Sequence, residues 1–304
     1  WDMSVFSRGS SLVMTRLSSY FSKAGAFAEQ LALSYYYFLS DLVRDFDANS
    51  DEIVRRLAEV AKIIFAKSNL FIETIGESGE VSAVKDHLYE IADDLPDGNV
   101  YQKHTFDFAE GNKNEAFLTS GKVQYVGEGG DFRKYGFNYT GALRVMETIL
   151  RYEYLWKKVR VQGGAYGAFT QFLSDGTAIL CSYRDPNLKQ TLETYKNLPE
   201  YIRTLELSDR EMTKYVIGTM AADEIQLTPS MKGERAMLHY LNGNSVENRR
   251  KVNDEIVNCT VEDIRKLAPL LQSVIDHSSI CVMGNEEKIH QDADVFDKIL
   301  SLPD

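Results

Sequence analysis

Apolar positions recur at helical spacing through the first ninety-odd residues. Leu12, Leu17, Tyr20 and Phe21 make one amphipathic stretch, which Gly25 interrupts. A second run passes through Leu31, Tyr35, Phe38, Leu39, Leu42 and Phe46. Asn49 with Glu52 three residues on resembles a capping box, and predicts a third helix through Ile53, Leu57, Val60, Ile64 and Phe65. Leu70–Ile75 reads as a short strand and Val81–Asp94 as a further helix. One strand cannot make a sheet. Residues 1–98 are therefore expected to be the mostly helical remainder of a domain whose other strands lie elsewhere.

The pattern changes after Pro96-Asp-Gly-Asn99, the best linker signal in the chain. Strands are predicted at His104–Ala109 and at Glu115–Val126, where Phe117, Thr119, Gly121, Val123 and Tyr125 alternate on one face. Thr140 caps a long helix with an apolar stripe of Ala142, Val145, Ile149, Tyr152 and Trp156. A hairpin follows, Ala165–Leu173 and Thr177–Tyr183 about a turn ending in Gly176. Asp185-Pro186 reads as an N-cap with proline at the first helical position, and Ser208 with Glu211 as a capping box. Helices are also expected to start at Thr228, Ser245 and Thr260, with a closing strand at Ser279–Met283. Residues 104–304 thus read as an α+β two-layer sandwich, an antiparallel-rich sheet with helices on one face.

Composition narrows the function. The 304 residues suit about two domains, and 17 Tyr with 15 Phe supply ample core. A net charge of −11 without a basic cluster argues against nucleic acid and favours cationic partners such as basic peptides. Three cysteines without a framework fit a reducing compartment. No run reaches the length of a membrane span. The Trp-Asp-Met start, without an initiator methionine or leader, predicts a fragment or processed product of something longer.

Candidate chemistry concentrates in Lys158-Val-Arg-Val-Gln-Gly-Gly-Ala-Tyr-Gly167, followed by Ser182-Tyr-Arg-Asp-Pro-Asn187. The Arg160 guanidinium and the Tyr166 phenol are donors that suit a peptide carbonyl or a developing oxyanion. Six residues of extended strand would hold them roughly 20 Å apart. They can serve one ligand only if the chain folds back, and Gly163-Gly164 permits that. The local pattern by itself favours a plainer assignment, with Arg160 a helix C-terminal cation and Tyr166 a packed strand aromatic. The glycines at 127–130 and 163–167 lack the spacing and context of a dinucleotide fingerprint and read as tight turns.

Several longer runs carry a family resemblance: KVRVQGGAYGAF (158–169), SYRDPNL (182–188), EMTKYVIGT (211–219) and TPSMKGERA (228–236), with LVMTRLSSYFS (12–22), YYYFLSDL (35–42) and FLTSGKVQYV (117–126) upstream. Together they resemble the C-terminal half of pitrilysin/insulinase-family zinc metallopeptidases, the inverzincins, in the presequence-protease branch. That resemblance implies a chambered enzyme degrading unfolded peptides, with zinc on an H-x-x-E-H helix of the N-terminal half. The C-terminal half would contribute a substrate-binding Arg and Tyr, positions that Arg160 and Tyr166 occupy here, with Gly163 and Gly164 as the substrate loop. It also implies that 1–98 is the remainder of a preceding domain of the same family.

This chain departs from the zinc pattern. Of its five histidines only His87-Leu-Tyr-Glu90 starts the motif, and Ile91 stands where the second imidazole is needed. No metal site is therefore expected in this chain, and zinc only in the complete enzyme. The expected partners are the N-terminal half and unfolded peptides, with no nucleic acid and no membrane. The alternative is a non-catalytic partner or structural subunit of the same superfamily. A bacterial cytoplasm is the expected setting, an organellar matrix the alternative.

Overall fold

A computed structural model describes residues 8–98, 113–223 and 225–302. β1 (Asn114–Thr119), β2 (Tyr125–Asp131), β3 (Gly167–Phe172), β4 (Thr177–Tyr183), β5 (Ser279–Asn285) and β6 (Lys298–Ser301) form one mixed sheet in the order β3-β4-β2-β5-β1-β6. β2 runs antiparallel to β4 and β5, and β3 antiparallel to β4, while β1 runs parallel to β5 and β6. The 165–183 hairpin forms as its pattern predicts, with Phe172 opposite Ala178 and Gly176 at φ +105° in the turn. The late strand, β5, does not close an edge. It inserts between β1 and β2.

That insertion corrects the single strand expected over Glu115–Val126. The chain must step across the end of β5 to pass from β1 to β2, so residues 120–123 leave the ladder and Gln124 rejoins it in an antiparallel bridge to Asp185. Asn285 fastens this step: its N–H donates to the Gln124 Oε1 at 2.7 Å and its Nδ2 to the Gly121 carbonyl at 3.0 Å. Side-chain parity survives the break, because Phe117 and Tyr125 still share a face.

One face carries the main core, where Val126, Leu180 and Val282 pack under Leu143, Ile149, Leu155, Tyr195 and Leu271. The helical layer expected over one face is this one. The opposite face is covered as well. The Gly9–Ser18 helix sets Val13 and Leu17 against Phe117, Ile179, Cys181 and Met283. It comes close because Gly127 in β2 has no side chain; a Cβ there would stand 2.5 Å from Val13 Cγ1. A buried Glu115 at this face accepts hydrogen bonds from Arg16 (2.8 Å) and Tyr20 (2.7 Å), and Arg16 also pairs with Glu29 at 3.2 Å. All three cysteines are buried and free.

The compact units do not divide at the 98/104 linker. One comprises the described parts of Trp1–Ser40, Phe108–Asp223 and Arg250–Asp304, the other those of Asp41–Asp107 and Glu224–Arg249. The first helices join the sheet unit because their apolar face is buried on it. Within the second unit, the helices Phe46–Ile64, Ser78–Asp93 and Pro229–Leu241 contain no buried residue.

Four local expectations are corrected. Gly25 does not break a helix but lies inside Lys23–Glu29, whose N-cap Ser22 accepts from the Gly25 N–H. The third helix starts at Phe46, and Asn49 instead donates to the Asp45 carbonyl at 2.9 Å. Leu70–Ile75 joins no strand among the described residues; Ile75 lies against Gly233 of the Pro229–Leu241 helix. Asp185 caps no helix, since the next one starts at Lys189. The predicted strand His104–Ala109 lies outside the described residues. By contrast, the capping bonds read at Ser208–Glu211 are formed, and the helix expected at Thr260 starts there with Thr260 as its N-cap.

Candidate functional site

The helix entered at Thr140 is an α-helix over Gly141–Ile149 and widens to i→i+5 bonding over Leu150–Gln162. An i→i+4 helix turns once in 3.6 residues, an i→i+5 helix in about 4.4. The buried positions follow the wider winding: Leu150, then Tyr154 with Leu155, then Val159. The stripe read at 3.6 spacing therefore fails after Ile149. Tyr152 is 55% exposed and Trp156 45% exposed, where both were expected in the core.

The wide helix ends in a chain reversal. The Gly164 N–H donates to the Arg160 carbonyl at 2.9 Å, and the Ala165 N–H to the Val159 carbonyl at 3.1 Å. These nested bonds are a wider relative of the Schellman cap. Gly164 has φ +82°, and a Cβ on Gly163 would stand 2.6 Å from the Val159 carbonyl oxygen. Both positions therefore favour glycine.

The second motif clamps this turn from the side. The Asn187 Nδ2 donates to the Gly163 carbonyl at 2.6 Å, and the Asn187 N–H to Asp185 Oδ1 at 2.9 Å. The Thr191 hydroxyl donates to Asp185 Oδ2 at 2.7 Å, and the Tyr166 N–H to the Tyr183 carbonyl at 3.0 Å. Burial pushes the Asp185 carboxyl above its ordinary range, while these donors oppose the shift. Asp185 and Asn187 are thus positioning residues that the sequence reading missed. Their Asx pattern, a side-chain oxygen that accepts from the N–H two residues on, was the available signal.

The reversal brings Arg160 and Tyr166 to one groove of about 350 Å³, lined also by Arg151, Tyr152, Trp156 and Phe169. The Arg160 guanidinium carbon lies 4.0 Å from the Trp156 ring centroid and 5.7 Å from that of Tyr166. Tyr166 is 66% exposed and meets Tyr183 edge-on, ring centroids 5.8 Å apart. Among the described residues the Arg160 side chain makes no hydrogen bond or ion pair. Its planar donors are held by aromatic faces and remain available to a ligand. Beside them β3 is an edge strand of the described sheet.

Nothing among the described residues fits a metal. No group of three His, Cys, Asp or Glu side chains is placed to hold one. His87 is exposed with Nδ1 3.1 Å from Glu90 Oε2, and the Ile91 side chain offers no ligand. No described helix is long and apolar enough to cross a membrane.

A family profile described as the PreP C-terminal domain matches residues 114–286. The chain belongs to that family. The match takes in the sheet from β1 to β5, the wide helix, Arg160 and Tyr166. Protein HypA of Clostridium perfringens is 40% identical over 299 residues, 98% of this chain and 30% of its own length. Presequence protease 1 of Arabidopsis thaliana is 29% identical over 283 residues, 92% of this chain and 26% of its own. The chain thus spans less than a third of the length of these two relatives. Among solved structures, pitrilysin overlaps 68% of this chain and 23% of its own, with a TM-score of 0.48 at 10% identity.

Proposed function

We propose that this chain is the zinc-less, substrate-binding half of a zinc-dependent oligopeptidase that degrades unfolded peptides in an enclosed chamber. The observation that carries the reading is the Arg160 guanidinium, held over the Trp156 ring and near that of Tyr166, with no hydrogen-bonding partner of its own among the described residues. A peptide laid along the free edge of β3 gains main-chain hydrogen bonds by strand addition. The exposed aromatic faces take its apolar side chains. Arg160 and Tyr166 then donate to a peptide carbonyl, and each bond strengthens as that oxygen gains charge. The metal belongs to the other half, and no step of its chemistry is assigned to these residues.

The test uses the complete enzyme. Arg160→Ala and Tyr166→Phe should each lower kcat by on the order of 10²–10³-fold, with a smaller rise in KM. Zinc content and Tm should stay near wild type, because neither residue is a ligand or a core support. If both residues merely pack, the pattern reverses, with a lower Tm and nearly intact turnover per molecule. A non-catalytic subunit, the second assignment open to this superfamily, would show peptide binding lost in both variants and no turnover in the wild type.

A further inference from the structure

The groove holds a second arginine that the peptide-binding reading does not use. Arg151 and Arg160 are nine residues apart. At 3.6 residues per turn that is 2.5 turns, which would put them on opposite sides of the helix. At about 4.4 residues per turn it is close to two full turns, which puts them on the same side. The i→i+5 winding over Leu150–Gln162 is what brings both cations to one groove.

Their surroundings are one-sided. Arg151 is exposed, lies 5.7 Å from the Tyr152 ring centroid, and makes no hydrogen bond or ion pair among the described residues. Several exposed arginines on helices, Arg44, Arg55 and Arg203, pair with carboxylates three or four residues away, whereas Arg151, like Arg210 and Arg250, does not. None of the residues lining the groove is acidic. A chain of net charge −11 thus presents, at this groove, two unneutralised guanidinium groups set in aromatic faces.

We propose that Arg151 is a second ligand-binding cation, and that with Arg160 it makes the groove select peptides bearing a carboxylate, either an acidic side chain or a free C-terminus. The proposal rests on the groove being a peptide site. It reverses the preference for basic peptides drawn from net charge, because at the contact distance local charge outweighs charge beyond a Debye length of about 8–10 Å. Guanidinium and carboxylate match in a two-pronged hydrogen-bonding geometry that a neutral amide cannot copy.

Fluorescence anisotropy on the full 304-residue chain tests this with three forms of one ten-residue unstructured peptide. One is neutral with an amidated C-terminus, one carries a single Glu, and one has a free C-terminal carboxylate. At least one carboxylate form should bind about fivefold more tightly than the neutral form, the scale of a solvent-exposed charge pair, and added salt should shrink the gap. Which form gains identifies the source of the carboxylate. Arg151→Gln should bring the ratio close to one, and Arg151→Lys should restore part of it. Equal binding of all three peptides by the wild type, or an unchanged ratio in Arg151→Gln, overturns the proposal. If the neutral peptide binds and Arg160→Ala weakens it while the ratio is one, the peptide groove stands and only the selectivity falls. If no peptide binds, both fall together.

Discussion

Glu128 sits in the middle of β2, 2% exposed, with Ser278 donating to one carboxyl oxygen at 2.7 Å and the other oxygen unpartnered. Burial pushes its pKa from the ordinary 4.5 up to about 7, against the Ser278 bond and the charge of Lys196. A carboxyl with a raised folded pKa keeps its proton better in the native state. Stability is therefore undiminished below about pH 4.5 and declines as pH rises to about 7, by up to about 3 kcal/mol in all. Glu128→Gln should flatten this decline. Its Tm advantage over wild type should be small at pH 5 and larger at pH 8, and thermal melts at the two values decide it. An advantage independent of pH would mean that packing, not ionisation, sets the difference. At this same scale the sequence exposed Arg160 and Tyr166 through their donor chemistry and the glycines between them. It hid Arg151 and Trp156, because their place depends on the pitch of a helix and not on residue type.

Helix pitch is an element-scale property, and here it decides which side chains meet. Local bonds were legible: the caps at Ser208 and Thr260 and the 165–183 hairpin are set by residues a few positions apart. Sheet order was not, since β5 enters between β1 and β2 from more than 150 residues away. The turn after the wide helix joins both kinds of information. Gly163-Gly164 was legible as a reversal, while the clamp from Asn187 depends on β4 running back beside it. Asn187→Ala should leave the half-buried Gly163 carbonyl without this donor and cost about 1–2 kcal/mol. Through the displaced Tyr166 it should also weaken peptide binding. Gly164→Ala should act likewise, costing about 1 kcal/mol for a left-handed backbone. Denaturant melts and peptide titration on both variants check this; normal peptide affinity at reduced stability would separate the turn from the groove.

At the scale of the whole chain, the two compact units differ in how they protect their backbone. In the sheet unit the Gly9–Ser18 helix buries Val13 and Leu17 completely, and β2 and β4 are buried almost along their length. In the other unit the helices Phe46–Ile64, Ser78–Asp93 and Pro229–Leu241 have no buried residue between them. Few apolar contacts leave little free energy against local opening. Hydrogen exchange on this chain alone should therefore show slow amides in 9–18 and in the strands, and fast ones in 46–93 and 229–241. The expected boundary follows burial and not the linker at Pro96-Asp-Gly-Asn99: residues 9–18 should exchange with the sheet although they precede the linker by eighty residues. Uniform slow exchange across all three exposed helices would mean that the second unit holds a core the described contacts do not contain. Metal content belongs to the same experiment. With no ligand cluster among the described residues, the chain purified without added metal and then titrated should bind no equimolar zinc, and zinc should not slow exchange anywhere. Tight equimolar binding with chelator-sensitive peptide cleavage would make this chain a complete peptidase and would overturn the proposed zinc-less role.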